Sequence, residues 1–386
     1  MRIGILTIHD SPNYGASLQC FALWKYLTDE GYDCEVIDLH RPGAHPDYAP
    51  SRRFKRCRPL HESLIAKLKR IVKRFVGQKP QSILYYNMVT KKKFEEFNSL
   101  YKKSKPFTNI DAFYKNPPQY DVYIAGSDQL WNPTQIYCIE PYFLTFVQGG
   151  KKKKISFSTS IGITELTSIE KKKFKEWLKD FTAISVRERQ AKLLLESFVE
   201  REVEQISDPT FLLTPFSWHS LANMPKSQEP YILYFALHLD KDLLNYCKKI
   251  SEESGLHLYV LNQTQPEPID NSYLAIKNAG PKDFIGYIEN ANIVITDSFH
   301  GTVFSIIMGA KNFYSYISSG NKRGSRIEDL LELYSLKNHI LRNDFSSSYT
   351  DLQNATIDRK QVLSVMSRER GKSIEFLKTY ISQNEY

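Results

Sequence analysis

The sequence has few cysteines and no long hydrophobic run. Its 386 residues include five cysteines, an odd number, and none lies in a Cys-x-x-Cys pair. This usage argues against a disulfide framework and against a zinc site, so a reducing, cytoplasmic location is expected. The apolar part of MRIGILTIHD (1–10) is too short for a signal peptide, and we expect a first strand there. No segment reaches the length of a transmembrane helix.

The sequence also lacks the common signatures of nucleotide and metal sites. The loop HDSPNYGAS (9–17) follows the first predicted strand but contains a single glycine, Gly15. It therefore matches neither the GxGxxG dinucleotide fingerprint nor a P-loop ending in GK[ST]. No acidic cluster resembles a magnesium site, so we expect no metal and no cofactor. No recognised nucleic-acid-binding motif is present, and we expect no nucleic-acid partner.

Negative charge is scarce in one segment. Residues 51–105 hold 17 Lys and Arg against three Asp and Glu, while the formal charge of the whole chain is +9. Within that segment, HESLIAKLKRIVKRFV (61–76) places apolar residues at helical spacing and basic residues mostly on the opposite face. Such a helix either packs its apolar stripe on its own domain or lies in an anionic membrane interface. The sequence leaves both interpretations open.

Outside that segment, strand-like and helix-like patterns alternate. RIGILTI (2–8), a helical pattern at 15–31 and CEVIDL (34–39) form a βαβ unit, which implies a parallel sheet with helices on its faces. A second α/β series opens with YILYFAL (231–237), after a proline-containing hinge at 208–230. Further strands are expected at 120–126, 154–160, 183–186, 203–207, 256–262, 292–296 and 312–317.

We therefore predict an α/β fold with two doubly wound, Rossmann-like domains facing a cleft, followed by a C-terminal helix. The predicted units are 1–214, which includes a basic helical insertion at about 51–105, then 215–345, and a C-terminal helical segment at 346–386. In open parallel sheets, ligands bind beyond the carboxyl ends of the strands. The loops at those ends are therefore where functional residues are expected.

One such loop places polar residues inside an apolar run. In VITDSFHGTVFSIIMGA (294–310), Ser298, His300 and Gly301 lie where a buried strand ends and a helix begins. Free N–H groups and the positive end of the helix dipole make that position an anion site. His300 could donate a proton to the bound anion, and the alternative is a histidine with a structural role.

A second loop, SSGNKRGSRIEDLLELY (318–334), brings three cations to the start of a helix: Lys322, Arg323 and Arg326. Cations normally avoid helix N-termini, so an anionic ligand is one explanation for them. Arginine also binds carboxylate or phosphate through two parallel hydrogen bonds. The alternative is a solvated basic loop.

Two loops of the first domain carry residues that suit a sugar. They are Asn13 and Tyr14 before the first helix, and Asp128, Gln129, Trp131 and Asn132 in GSDQLWNP (126–133). The alternatives are that Asn13 caps the helix, and that Asp128 forms a turn with Trp131 packed in the core. From the residues alone we predict a transferase, with an anionic donor beside the second domain and a sugar beside the first.

Seven stretches also carry a resemblance to a known family. In chain order they are NYGASLQCFAL (13–23), YDVYIAGSDQLWN (120–132), SFSTSIG (156–162), AISVRE (183–188), SDPTFLL (207–213), TDSFHGTVFSIIMG (296–309) and SRIEDLLELYSL (325–336). Over roughly residues 1–340 the chain resembles the polysaccharide pyruvyl transferases. The resemblance implies transfer of pyruvate from phosphoenolpyruvate onto two sugar hydroxyls, giving a cyclic ketal and phosphate in bacterial capsule or exopolysaccharide assembly. It also implies a two-domain fold similar to that of GT-B glycosyltransferases.

The resemblance gives the candidate residues roles. His300 would be the general acid, and phosphoenolpyruvate would be a co-substrate, with no cofactor needed. The residues expected around the donor are Arg326, Arg187, Lys322, Arg323, Ser298 and Gly301. The residues expected to face the acceptor are Asn13, Tyr14, Asp128, Gln129, Trp131 and Asn132.

The basic segment 51–105 belongs to none of the matching stretches. If the acceptor is a lipid-linked sugar, the helix at 61–76 would bind anionic lipid and hold the protein at the inner face of the cytoplasmic membrane. Two other functions stay open from the sequence. One is a GT-B glycosyltransferase that uses a nucleotide sugar, and the other is a non-catalytic sugar-binding relative.

Overall fold

The structure describes most of the chain. It is a computed structural model, and it describes residues 1–40, 87–134, 140–149, 152–227, 229–237, 239–262, 271–318 and 324–382. The predicted amphipathic helix at 61–76 and the positions of Lys322 and Arg323 lie outside these ranges. Among the described residues, no helix is both long and apolar enough to cross a membrane.

The first unit is built on parallel strands. Strands β1 to β4 pair in the order β2-β1-β3-β4, and β5 pairs with β6. Single backbone bridges join β4 and the loop after it to the β5 region, so the two sets continue one another. The strands are β1 (Arg2–Leu6), β2 (Asp33–Val36), β3 (Val122–Ala125), β4 (Lys153–Ser156), β5 (Ile184–Val186) and β6 (Val203–Gln205).

Helices connect these strands and cover the sheet. They are α1 (Tyr14–Asp29), α2 (Met88–Asn98), α3 (Ile110–Lys115), α4 (Ser168–Leu178) and α5 (Arg189–Glu196), followed by α6 (Pro215–His219) between the units. Asn13 caps α1, because its side chain accepts a hydrogen bond from the N–H of Ala16 at 3.0 Å. The capping interpretation of Asn13 is therefore confirmed.

The second unit is a six-stranded parallel sheet in the order β12-β11-β10-β7-β8-β9. All six residues of YILYFA in β7 are buried, as expected for a strand covered on both faces. Its strands are β7 (Tyr231–Ala236), β8 (His257–Asn262), β9 (Leu274–Ala275), β10 (Ile293–Thr296), β11 (Phe313–Tyr316) and β12 (Ile340–Leu341). Its helices are α7 (Lys241–Ser254), α8 (Pro281–Asn290), α9 (Phe299–Ile307), α10 (Ser325–Leu333) and α11 (Tyr349–Asn354), and α12 (Arg359–Ser382) ends the described chain.

The two units pack closely on each other. Tyr14 stacks on Phe284 of α8 at 4.9 Å between ring centroids, and its hydroxyl donates to the carbonyl of Ala279 at 2.9 Å. Lys93 of α2 forms an ion pair with Asp283 of α8 at 2.9 Å. Side chains of both units belong to one continuous hydrophobic cluster. The chain therefore has a shared core between its sheets.

Helix α12 returns to the first unit. Phe376 packs against Phe157 at 6.1 Å between ring centroids, and Lys153 donates to the carbonyl of Ile381 at 2.9 Å. The C-terminal helix predicted from the sequence is confirmed, and its position across the first sheet is an addition from the structure. The unit boundaries predicted at 214 and 345 stay predictions.

The predicted α/β architecture with two parallel sheets is confirmed. The described end of the basic segment is helical, and α2 buries Phe94 and Phe97 in the shared core. That part of the segment therefore packs on its own chain. The two-residue strands β9 and β12 were not predicted, because strands this short leave no periodic pattern in the sequence.

Candidate active site

Functional side chains from both units meet beyond the carboxyl ends of the strands. Arg187 and Glu188 follow β5, Asp208 follows β6, and His300 follows β10 at the start of α9. Parallel strands present their carboxyl ends at one edge of a sheet, so residues distant in sequence converge there. The resulting site draws on both sheets.

Asp208 is the centre of this cluster. Its side chain is fully buried, and one carboxylate oxygen, Oδ1, accepts from the N–H and the hydroxyl of Thr210 at 3.0 and 2.8 Å. The other oxygen, Oδ2, accepts from Nη1 of Arg187 at 2.7 Å and from the Ser127 hydroxyl at 3.2 Å. Nε2 of His300 lies 3.3 Å from the same oxygen. Five donors or cations thus surround one carboxylate.

These contacts keep Asp208 ionised. Burial alone would raise the pKa of its carboxyl, but the nearby imidazole of His300 and the charge of Arg187 hold that pKa well below its usual range. Burial alone would also lower the pKa of Arg187, but the charges of Glu188 and Asp208 raise it instead. The pair is therefore a buried carboxylate beside a buried guanidinium.

His300 lies between the two units. Its Nε2 faces Asp208 without the alignment of a full hydrogen bond, and the imidazole is about 9% exposed. Its other nitrogen, Nδ1, lies against Gly15 at the start of α1. A methyl group on Gly15 would come within 2.0 Å of Nδ1, so only glycine allows this approach. The ring is thus fixed from one side by a carboxylate and from the other by the first unit.

Two arginines flank the same aromatic ring. The guanidinium carbon of Arg187 lies 4.2 Å from the centroid of Phe299, and that of Arg326 lies 5.6 Å from it. Nε and Nη2 of Arg187 are buried and have no hydrogen-bond partner among the described residues. An unpaired buried donor is costly, which suggests that a ligand supplies the partner.

Arg187, Asp208, Phe299 and Arg326 line a cavity of about 360 Å³, within the size range of small-molecule sites. Its walls carry six carboxylates and four cations. The carboxylates are Glu188, Glu202, Glu204, Asp208, Asp329 and Glu369, and the cations are Arg187, Lys192, Arg326 and Lys372. Phe299 lies on the wall with Arg187 and Arg326.

The loops after β3 and β4 are held in uncommon conformations beside this cluster. Asp128 and Ser158 both have positive φ, at 75° and 54°. The N–H of Ser160 donates to the Asp128 carbonyl at 2.9 Å, and the N–H of Trp131 donates to the Ser160 carbonyl at 3.2 Å. Left-handed non-glycine residues persist where surrounding contacts enforce them, often at functional sites.

The predicted donor residues largely come together. His300, Arg187 and Arg326 surround the Phe299 ring, although they lie far apart in the sequence. Ser298 and Gly301 shape the turn, because the Ser298 hydroxyl accepts from the N–H of Gly301 at 3.3 Å. Lys322 and Arg323 lie outside the described residues.

Several residues predicted to face an acceptor lie in the interior. Trp131 is 0% exposed, stacks on Phe143 at 5.2 Å, and donates its indole N–H to the carbonyl of Tyr142 at 3.1 Å. Asn132 is also 0% exposed and donates to Gln129 Oε1 at 2.7 Å. Trp131 and Asn132 therefore have no surface to offer a ligand, and the core interpretation applies to them.

Tyr14 is another predicted acceptor residue that lies in the interior. It is 2% exposed and forms the contact between the units described above. Asp128 and Gln129 are half-buried at the edge of the first sheet. Asn13 is half-buried as well, with its side-chain oxygen capping α1. Asp128, Gln129 and Asn13 therefore remain candidates for contact with a ligand, whereas Tyr14 does not.

Sequence reasoning missed three residues of the cluster. Asp208 lies in SDPTFLL (207–213), Glu188 directly follows Arg187 in AISVRE (183–188), and Phe299 precedes His300. Asp208 and Glu188 each lie just beyond the carboxyl end of a predicted strand. That position was the available signal, but the partner of each carboxylate comes from another strand.

The buried Asp208 yields a prediction about stability and pH. A depressed folded-state pKa means that Asp208 contributes stability above its unfolded pKa of about 3.9, and that this contribution is lost as the pH falls through the folded pKa. Asp208→Asn leaves the Arg187 charge poorly compensated, and we expect its free energy of unfolding to be about 3–5 kcal/mol lower than that of the wild type at pH 7. This difference in stability between the variant and the wild type should become smaller below about pH 4.

Thermal melting between pH 3 and 7 measures this difference. Asp344→Asn is the matched control, because Asp344 is an exposed carboxylate 3.3 Å from Arg342. It should change the melting temperature little. Equal melting temperatures of the wild type and Asp208→Asn at pH 7 would contradict the conclusion that the ionised Asp208 stabilises the folded protein.

Comparison with known proteins adds independent findings. Residues 13–319 match a family model described as polysaccharide pyruvyl transferase. A search of curated proteins by sequence returned no match. Among solved structures, the UDP-GlcNAc 2-epimerase of Methanocaldococcus jannaschii in complex with UDP-GlcNAc and UDP is similar at 13% identity, with a TM-score of 0.48 and 99% of each chain covered. MurG of Acinetobacter baumannii is similar at 9% identity, with a TM-score of 0.44 and 99% of each chain covered.

Both TM-scores are below 0.5, so assignment depends on the family match and not on these structures. The match begins at Asn13, the residue that caps α1, and covers most of the chain. It includes the whole of the Arg187, Asp208 and His300 cluster. The chain therefore belongs to the polysaccharide pyruvyl transferase family.

Proposed function

We propose that this protein transfers the pyruvyl group of phosphoenolpyruvate onto two hydroxyls of a sugar, forming a cyclic ketal and releasing phosphate in bacterial surface-polysaccharide synthesis. One observation carries the proposal. Arg187 is a buried cation, two of whose nitrogens make no hydrogen bond within the described residues, and it shares the Asp208 carboxylate with His300 at the edge of a cavity. A small dianionic or trianionic substrate would satisfy those donors.

The donor is proposed to bind between Arg187 and Arg326. Its carboxylate and phosphate are planar or multidentate acceptors, which guanidinium groups bind well. Phe299 lies against both guanidinium groups and fixes where they can lie. The N-terminus of α9 adds the positive end of a helix dipole. Lys322 and Arg323, which precede α10 in the sequence, stay in the proposed donor set on their charge alone.

His300 is proposed as the general acid. The ionised Asp208 lies 3.3 Å from Nε2 of His300 and holds the ring in place, as a buried aspartate does for a catalytic histidine. The His300 ring lies 5.3 Å from that of Phe299 between centroids, and we assign its imidazole as the donor of a proton to the methylene carbon of phosphoenolpyruvate. The positive charge that develops at C2 is then open to attack by a sugar hydroxyl.

The acceptor is proposed to approach from the first unit. Asn13, Asp128 and Gln129 are half-buried polar residues at the carboxyl edge of its sheet. The family implies a sugar or polysaccharide acceptor, and a lipid-linked form of it belongs to this proposal. A glycosyltransferase that uses a nucleotide sugar is the alternative activity, and ligand binding distinguishes the two.

Donor identity can be tested without knowing the acceptor. Phosphoenolpyruvate should raise the melting temperature of the wild type, because a ligand that binds only the folded state stabilises it. Arg326→Ala should weaken that binding roughly 10–100-fold through loss of charge-assisted hydrogen bonds. The matched control is Arg342→Ala, which removes an exposed arginine of the same unit and should bind normally.

Thermal-shift titration with phosphoenolpyruvate and a panel of nucleoside diphosphates makes the measurement. Stabilisation by a nucleotide and not by phosphoenolpyruvate would favour the glycosyltransferase. Normal binding by Arg326→Ala would remove Arg326 from the donor site.

If His300 is the general acid, changing it should affect turnover much more than the binding of phosphoenolpyruvate. His300→Gln should retain phosphoenolpyruvate binding within a few-fold but lower phosphate release roughly 10²–10⁴-fold, the usual contribution of a general acid. Release is measured with methyl hexopyranosides and N-acetylhexosaminides as acceptors. His219→Gln is the control, because His219 is exposed and bonded to Glu289 at 2.7 Å. A His300→Gln variant as active as the wild type would refute the role.

Membrane association is proposed through the basic segment at 61–76. At low salt the protein should sediment with liposomes containing anionic lipid, and added salt should release it because the attraction is screened. Lys69, Arg70 and Lys73 changed together to glutamate should abolish sedimentation. If the wild type does not sediment with anionic liposomes at low salt, the proposed membrane association is refuted.

A further inference from the structure

Glu188, a second buried carboxylate of the cavity, has one oxygen without a hydrogen bond among the described residues. The Glu188 side chain is 4% exposed, and its Oε1 accepts a short hydrogen bond from the Ser160 hydroxyl. Its other oxygen, Oε2, is buried and has no hydrogen-bond partner in the described part of the chain. A carboxylate oxygen left unpaired in the interior is costly, which points to a partner supplied from outside the protein.

Glu188 is fixed toward the cavity. Ser160 lies in the loop after β4, and Nε of Arg187 is 3.5 Å from Oε1 of Glu188. The donor on one oxygen and the cation beside it hold the side chain in place. Glu188 lines the same cavity as Arg187 and Arg326, so a ligand bound there lies beside its side chain.

The four cations of the cavity have different surroundings. Arg187 and Arg326 share the wall that contains Phe299. The amino group of Lys372 is already paired with Glu369 at 2.9 Å, and Lys192 lies 3.6 Å from Glu196 outside the cavity lining. The carboxylates Glu202 and Glu204 follow α5 on the β6 side. Carboxylates accept hydrogen bonds from sugar hydroxyls but repel an anionic sugar.

We infer that the carboxylate-lined side of this cavity is the acceptor subsite, that it takes an uncharged sugar, and that Oε2 of Glu188 accepts the proton of the attacking hydroxyl. The inference rests on the function proposed above, because it assigns the second substrate and the base of that reaction. Glu188 would touch the reacting hydroxyl and is therefore assigned as a catalytic residue.

The proton transfers of this reaction balance. His300 gives its proton to C3 of phosphoenolpyruvate, the first hydroxyl oxygen bonds to C2, and Glu188 takes the proton of that hydroxyl. The bond from C2 to the phosphate oxygen then breaks, and Glu188 returns its proton to the leaving phosphate. The second hydroxyl oxygen bonds to C2, and its proton goes to the neutral His300. Two hydroxyl protons end on C3 and on phosphate, and both side chains regain their starting states.

Asp329 supports the same subsite from the second unit. Its Oδ2 is also buried without a hydrogen-bond partner among the described residues, and the residue lines the cavity. Burial and the charge of Glu188 raise the pKa of Asp329, so the two carboxyl groups are near enough to influence each other. A sugar between them could donate to Glu188 and accept from or donate to Asp329.

The test compares Glu188→Gln with Glu200→Gln. Both variants remove one carboxylate charge from the first unit, but Glu200 is exposed, lies 2.6 Å from Lys175 and does not line the cavity. Glu188→Gln should bind phosphoenolpyruvate at least as tightly as the wild type and lower phosphate release roughly 10²–10⁴-fold with the neutral methyl glycosides. Glu200→Gln should retain release within about threefold, as expected for a solvent-screened charge.

Two further experiments are needed. The first distinguishes a catalytic role of Glu188 from a purely structural one, and the second tests whether the acceptor is an uncharged sugar. Glu188→Ala should regain phosphate release in proportion to added formate, which replaces the missing carboxylate, whereas Glu188→Gln should not respond. Methyl β-D-galactopyranoside and its 3-sulfate differ by one charge. The sulfate should lower kcat/KM at least about tenfold, the effect of roughly 1.4 kcal/mol of repulsion.

The outcomes separate this inference from the proposed function. A wild type that does not bind phosphoenolpyruvate overturns both, and that result appears before any variant is assayed. Binding without turnover of any neutral glycoside overturns the acceptor assignment alone. Release by Glu188→Gln within about tenfold of the wild type, or absence of formate rescue in a folded Glu188→Ala that binds phosphoenolpyruvate, overturns the role of Glu188.

Discussion

The buried carboxylate of Asp208 is the interaction on which the rest of the site depends. Burying an ionised group is expensive unless charges and hydrogen bonds compensate for it. Asp208 meets that condition with donors from Thr210, Ser127 and Arg187 in the first unit, and with His300 from the second. Because its partners come from both units, satisfying this one carboxylate also fixes how the two sheets lie relative to each other.

Close packing between the units also fixes how the two sheets lie relative to each other. Gly15 starts α1 and leaves room for the His300 ring, while the neighbouring Tyr14 stacks on Phe284. The first turn of α1 therefore holds the general acid proposed above and the shared core together. A side chain at Gly15 would displace His300 rather than simply fill space. The site is for this reason a property of the interface and not of either sheet.

The sequence predicts this fold well because its strands are buried apolar runs separated by helix caps. His300 is predicted because it lies at the carboxyl end of a strand, where parallel sheets bind ligands. Arg326 is predicted from the cations at the start of a helix, and Arg187 only from the resemblance to the family. Trp131 shows where such reasoning fails. The composition of its turn suits a sugar, but only tertiary packing on Phe143 shows that the ring faces inward. Glu188 and Asp208 were missed because their roles depend on partners brought together by folding.

Arg187 connects the two groups to which proton transfer is assigned. One of its nitrogens binds Asp208, which faces the proposed acid His300, and another lies 3.5 Å from the proposed base Glu188. In the proposed reaction Glu188 becomes neutral when it takes a hydroxyl proton. The charge of Arg187 is then balanced by Asp208 alone and is more available to the departing phosphate. A single guanidinium can thus couple hydroxyl deprotonation to phosphate release, which explains why a buried arginine between two carboxylates is useful at this position.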